Sequence, residues 1–225
     1  MRTPTLLGAF ALGLLAFGSA ANASTVVNLD TISSGTIGTG TLGTVTLTQN
    51  GANEVDVVVA LAANTDFVST GGPHHAFAFN LDIASGFVVT ITSPTGGIFT
   101  TDGAGSNNPY GNFTYTIDCP GCGPGASHAN PGPLDFKVVD LSGITIADFT
   151  KNGTNGYYFS ADVIGPVGGT GNIAGNTETT TGGGGQDTTP LPSAVWLFGT
   201  ILAGAGGFQT MRRRRKDGPV AFATA

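Results

Sequence analysis

Charge is scarce in this chain. Lys, Arg, Asp and Glu together make up 10% of its 225 residues, and only eight residues are Lys or Arg. Between Asp30 and Asp187 stand thirteen acids and two lysines, Lys137 and Lys151. Binding to nucleic acid relies on a cationic surface that displaces condensed counterions. A middle segment of this sign repels phosphate, so nucleic acid is not an expected partner. Tryptophan occurs once, at Trp196, which leaves the middle without an indole platform for sugars. Familiar catalytic signatures are also missing. There is no Gly-x-Ser-x-Gly elbow, no P-loop, and no nucleotide fingerprint set between a strand and a helix. Cysteine is limited to Cys119 and Cys122, and no second CxxC is present to complete a four-cysteine zinc site.

Glycine is abundant, at 37 residues, and it weakens helix interiors. No long amphipathic helix is legible between the chain ends. Short alternating runs are: Val45 and Leu47; Val55, Val57, Val59 and Leu61; Phe77, Phe79 and Leu81; Phe87, Val89 and Ile91; Phe113, Tyr115 and Ile117; Leu134, Phe136 and Val138. A period of two marks strands with one buried face. Residues 156–164 read as a further strand, and Ile144 to Phe149 as a single helical turn. Gly72-Pro73, Ser93-Pro94, Asn108-Pro109 and Asn130-Pro131-Gly132-Pro133 punctuate the runs. Seven or more such strands predict an all-β domain over 24–175. The expected form is an antiparallel two-sheet β-sandwich, of which a jelly roll is one arrangement. Nine Phe and four Tyr are available to fill its core.

The two ends read differently. Met1-Arg2 is followed by an apolar run from Leu6 to Phe17 and by Ala21-Asn22-Ala23, a small-x-small site. This predicts a signal helix over 1–23, cleaved after Ala23 by a signal peptidase of the Sec route. The run is too short to span a bilayer comfortably. Near the other end, residues 193–211 carry no charge. As a helix they would measure about 28 Å, close to a hydrocarbon core of about 30 Å. Arg212, Arg213, Arg214, Arg215 and Lys216 follow at once. By the positive-inside rule this basic stop stays cytoplasmic, with the 217–225 tail, and the acidic domain lies outside. Residues 176–189, with Gly182 to Gly185, read as a flexible Gly/Thr-rich linker.

Pro190-Leu191-Pro192, the apolar span bearing Trp196 near its outer end, and the Arg cluster together resemble the PEP-CTERM sorting signal over 190–216. Leu191 stands where the name-giving Glu would be, and the tail runs on past the cations. The resemblance implies recognition by a membrane-embedded exosortase, an inner-membrane-anchored precursor, and final delivery to the cell surface or a polysaccharide-containing matrix. Residues 67–81 and 155–162 are similar to a group of exported proteins that carry the same tail. That group implies location and fold, not chemistry.

Candidate chemistry in the middle is thin. In an oxidising exterior Cys119-Pro120-Gly121-Cys122 favours a local disulfide closed by a tight Pro-Gly turn. A thioredoxin-like redox pair or part of a zinc site are the alternatives. His74, His75 and His128 are metal candidates, with acids able to join one of them. Adjacent residues of an extended chain point opposite ways, which argues against His74 and His75 sharing an ion. Residues 182–187 fit a single calcium β-roll opening, but such sites need stacked repeats. No cofactor is expected, Ca2+ being the one ion the acidic surface leaves open. Tyr110, Tyr157 or Tyr158 could replace tryptophan against a sugar ring. The expected function is a non-enzymatic structural or interaction module. The alternatives are a carbohydrate- or calcium-binding module of the polysaccharide matrix, and an enzyme with a carboxylate or CxxC site.

Overall fold

A computed structural model of the chain describes residues 23–83 and 85–180. The signal segment, most of the 176–189 linker, the sorting motif, the apolar span and the basic stop lie outside the described residues. Among the described residues no helix is long and apolar enough to cross a membrane.

The domain is all-β, with every strand pairing antiparallel. In chain order the strands are β1 (Ser24–Leu29), β2 (Thr31–Ile32), β3 (Gly43–Gln49), β4 (Glu54–Leu61), β5 (Asp66–Phe67), β6 (Phe77–Phe79), β7 (Phe87–Ser93) and β8 (Thr100–Asp102). They continue as β9 (Gly105–Ser106), β10 (Asn112–Phe113), β11 (Tyr115–Asp118), β12 (Leu134–Asp140), β13 (Phe159–Ile164), β14 (Thr170–Gly175) and β15 (Glu178–Thr180). One sheet runs β15-β1-β3-β4-β12-β7; the other runs β2-β14-β13-β6-β11-β8, with β5 also on β13.

Alternation explains the first sheet. Val27, Val45, Val57 and Phe136 face inward and are buried. Thr46 and Lys137, at intervening positions, are half-buried. The second sheet supplies Phe77, Ile117, Phe159 and Val163 to the same core. Phe136 joins the layers, its ring centroid 5.9 Å from Phe77 and 5.3 Å from Phe79. Two sheets facing each other across one core are consistent with a β-sandwich.

The second sheet departs from simple alternation. All six residues of β13 are buried, so both of its faces are covered. The outer cover is the β9–β10 ribbon, where Tyr110 and Phe113 pack with Ala78 and Ala174. Phe113 therefore belongs to this outer cluster, although period two would put it in the main core with Tyr115 and Ile117. Two further differences concern extent. The strand expected over 156–164 begins at Phe159, and β15 extends the first sheet into the segment read as linker by pairing with β1. The expected helical turn is present as a 3-10 turn over Ile146–Asp148.

Candidate functional site

The residues with the most chemistry gather where β5 and β6 share one edge of β13. Val68 N–H donates to the Asp162 carbonyl at 3.1 Å, and Asp162 N–H donates to the Ala76 carbonyl at 3.3 Å. Residues 69–75 thus leave the sheet opposite a single residue of β13. Gly71 and Gly72 make the excursion possible, with φ of 81° and 63°, in the left-handed region that side chains disfavour. The stretches 67–81 and 155–162, singled out together in the sequence, meet here through β6 and β13.

Asp162 holds the excursion from beneath. It is fully buried, and its Oδ2 accepts from Thr70 N–H at 2.8 Å and from Thr70 Oγ1 at 2.6 Å. Burial pushes its carboxyl above the usual carboxylate range, and the Thr70 hydrogen bonds and nearby His74 only partly oppose this. His74 Nδ1 lies 3.3 Å from Asn172 Oδ1, on the strand position paired with Asp162.

His75 turns elsewhere. Its Nδ1 lies 2.6 Å from Asp118 Oδ1, and Asp102 completes a group whose ligand atoms all lie within 4.8 Å of one another. The backbone of His75 is clamped by the buried amide of Asn107, which accepts from His75 N–H at 2.5 Å and donates to its carbonyl at 3.1 Å. The adjacent histidines thus serve different partners, as expected for extended chain. His128 is apart from both, with its Nδ1 3.0 Å from Ser127 Oγ. Asp102 and Asp118 escaped notice in the sequence. Asp102 ends a three-residue exposed strand without apolar alternation, and its approach to Asp118 depends on β8 pairing with β11.

Cys119 and Cys122 lie at disulfide distance, with Cα atoms 5.2 Å apart. Cys122 N–H donates to the Cys119 carbonyl at 2.9 Å, closing the Pro-Gly turn.

Of the three tyrosines, Tyr110 is buried and donates to the Thr31 carbonyl at 2.9 Å. Tyr157 packs edge-on against it, centroids 4.8 Å apart. Tyr158 instead lines an open groove of about 520 Å³ with Thr25, Thr150, Lys151 and Glu178. Lys151 Nζ sits 5.1 Å from the Tyr158 ring centroid. Burial, reinforced by the Glu178 carboxylate, pushes the Tyr158 hydroxyl up to about 12, so it remains a donor at neutral pH. Comparison with family models, with curated proteins and with solved structures finds no match to the chain.

Proposed function

We propose that this is an exported protein, sorted by an exosortase to the cell surface or extracellular matrix, whose two-sheet domain is a non-enzymatic structural or interaction module. The observation that carries the proposal is the three-part tail: Pro190-Leu191-Pro192, an uncharged span over 193–211, and the cations 212–216. Segregation of acids and cations supports the same topology. The cysteine pair at disulfide distance fits an oxidising exterior. Architecturally we read the sheets as a β-sandwich related to the jelly roll, since the chain repeatedly crosses from one sheet to the other. Replacing Pro190 and Pro192 with Ala tests the sorting. The expected result is a precursor that keeps its tail and accumulates in the inner membrane. Unchanged tail processing overturns the assignment.

A second reading, a carbohydrate-binding module of the matrix, is favoured by the Tyr158 groove. It combines a ring face, a hydroxyl donor, a carboxylate acceptor and an ammonium, the group types that recognise sugar hydroxyls. Binding of polysaccharide fragments that is lost in both Tyr158→Ala and Glu178→Gln supports it. No saturable binding by the unaltered protein sinks it.

A further inference from the structure

We propose that His75, Asp102 and Asp118 form a binding site for a divalent first-row ion such as Zn2+, which it favours over Mn2+ and Ca2+. The three ligands come from separate places in the second sheet: the lead into β6, the end of β8 and the end of β11. They converge because β11 pairs with β6 on one side and β8 on the other. None is next to another in sequence.

The ring orientation selects the ligating atom. A Cβ at Gly105 would overlap His75 Nε2, so that nitrogen is packed on the bare glycine backbone. Nδ1 is the nitrogen turned toward Asp118, 2.6 Å from its Oδ1. The Asn107 clamp fixes the main chain of His75 on both sides, and Thr116 Oγ1 donates to the Gly103 carbonyl at 2.9 Å, tying down the chain just after Asp102. Such outer hydrogen bonds orient ligands before an ion arrives.

Charge is the second, independent argument. Two carboxylates face one another across this site, and the described domain has little to neutralise them. Its Lys and Arg side chains are Lys137 and Lys151 alone. Lys137 pairs with Glu54 at 3.3 Å, and Lys151 lies over Tyr158. A divalent ion supplies the missing positive charge. It replaces the hydrogen between Nδ1 and Asp118, and the neutral imidazole then carries its proton on Nε2. Zn2+ with about 2.0–2.2 Å bonds to nitrogen and oxygen needs only modest opening of the His75–Asp118 contact and an inward turn of the exposed Asp102. One nitrogen with two carboxylate oxygens suits Zn2+ above Mn2+, and Mn2+ above Ca2+, which prefers six or more oxygens. Water fills the remaining coordination positions.

The proposal is independent of sorting and of the Tyr158 groove. Its test is calorimetric titration of the full-length chain, in detergent and without an affinity tag, with Zn2+, Mn2+ and Ca2+ in turn. The expected result is one equivalent of Zn2+, with Ca2+ at least about tenfold weaker. Asp102→Asn should lower Zn2+ affinity at least about tenfold without lowering the melting temperature, because Asp102 is exposed and a lost ligand costs no less than a lost outer hydrogen bond. Asp118→Asn should act likewise, and His74→Gln and His128→Gln should leave binding unchanged. The proposal is overturned if the unaltered chain takes up no Zn2+. It is equally overturned if Ca2+ binds more tightly, if both Asp variants keep full affinity, or if His74→Gln or His128→Gln abolishes binding.

Discussion

Asp162 is a carboxylate enclosed by protein with one oxygen occupied by Thr70 and the other, Oδ1, without a partner among the described residues. Its environment holds the proton more tightly than the unfolded chain does. The contribution of this group is therefore most favourable at low pH and is lost as pH rises from the ordinary carboxylate value through the raised folded one. Asp162→Asn removes that loss and keeps an acceptor for Thr70. We expect its unfolding free energy to decline less than that of the unaltered protein between about pH 4 and pH 7 in parallel urea titrations. Asp162→Ala leaves the half-buried Thr70 N–H and hydroxyl without this acceptor and should cost about 1–3 kcal/mol at the acid end of that interval, the difference from the unaltered protein shrinking toward pH 7. Gly105→Ala is the matching steric experiment. Its methyl group would overlap His75, and strain of this kind lowers stability by about 1–3 kcal/mol.

At the level of elements, the joint between the sheets is aromatic. The Phe79 ring lies 5.3 Å from both Tyr115 and Phe136 and 5.9 Å from Phe149. Phe79→Ala should destabilise the domain by about 3–5 kcal/mol, read from the midpoint of chemical denaturation. A disulfide between Cys119 and Cys122, which lie at the right distance for one, would close a very short loop, so its reduction should cost only about 2 kcal/mol, measured as a melting shift with and without reductant. These elements were unequally legible. β4, β7 and β12 could be read directly, because Val55, Val57 and Val59, Phe87, Val89 and Ile91, and Leu134, Phe136 and Val138 recur at every second position, with Asp56, Thr90, Asp135 and Lys137 among the residues between them. β8, β9 and β10 are two or three residues long and carry too little apolar pattern to register. β13 was anticipated as a strand, but the cover on its outer face depends on Tyr110 and Phe113 arriving from a ribbon nearly fifty residues earlier. The candidate ion site failed to appear for the same reason. His75 could be named, whereas Asp102 and Asp118 become its neighbours only through the order of strands in the sheet.

For the molecule as a whole, the position of its few cations has a practical consequence. Proteases that cut after lysine or arginine have two targets in the described domain. Lys137 lies within β12, hydrogen-bonded between β4 and β7, with its ammonium 3.3 Å from Glu54. Such enzymes need an extended, unpaired substrate, so this bond is accessible only when the sheet opens. Lys151 lies just after the Ile146–Asp148 turn, with its ammonium over Tyr158. Limited trypsin digestion should therefore leave the domain whole or divide it once, after Lys151, while an enzyme of broad specificity finds many more bonds. A protein built this way would persist among secreted trypsin-like enzymes through the simple rarity of what they recognise.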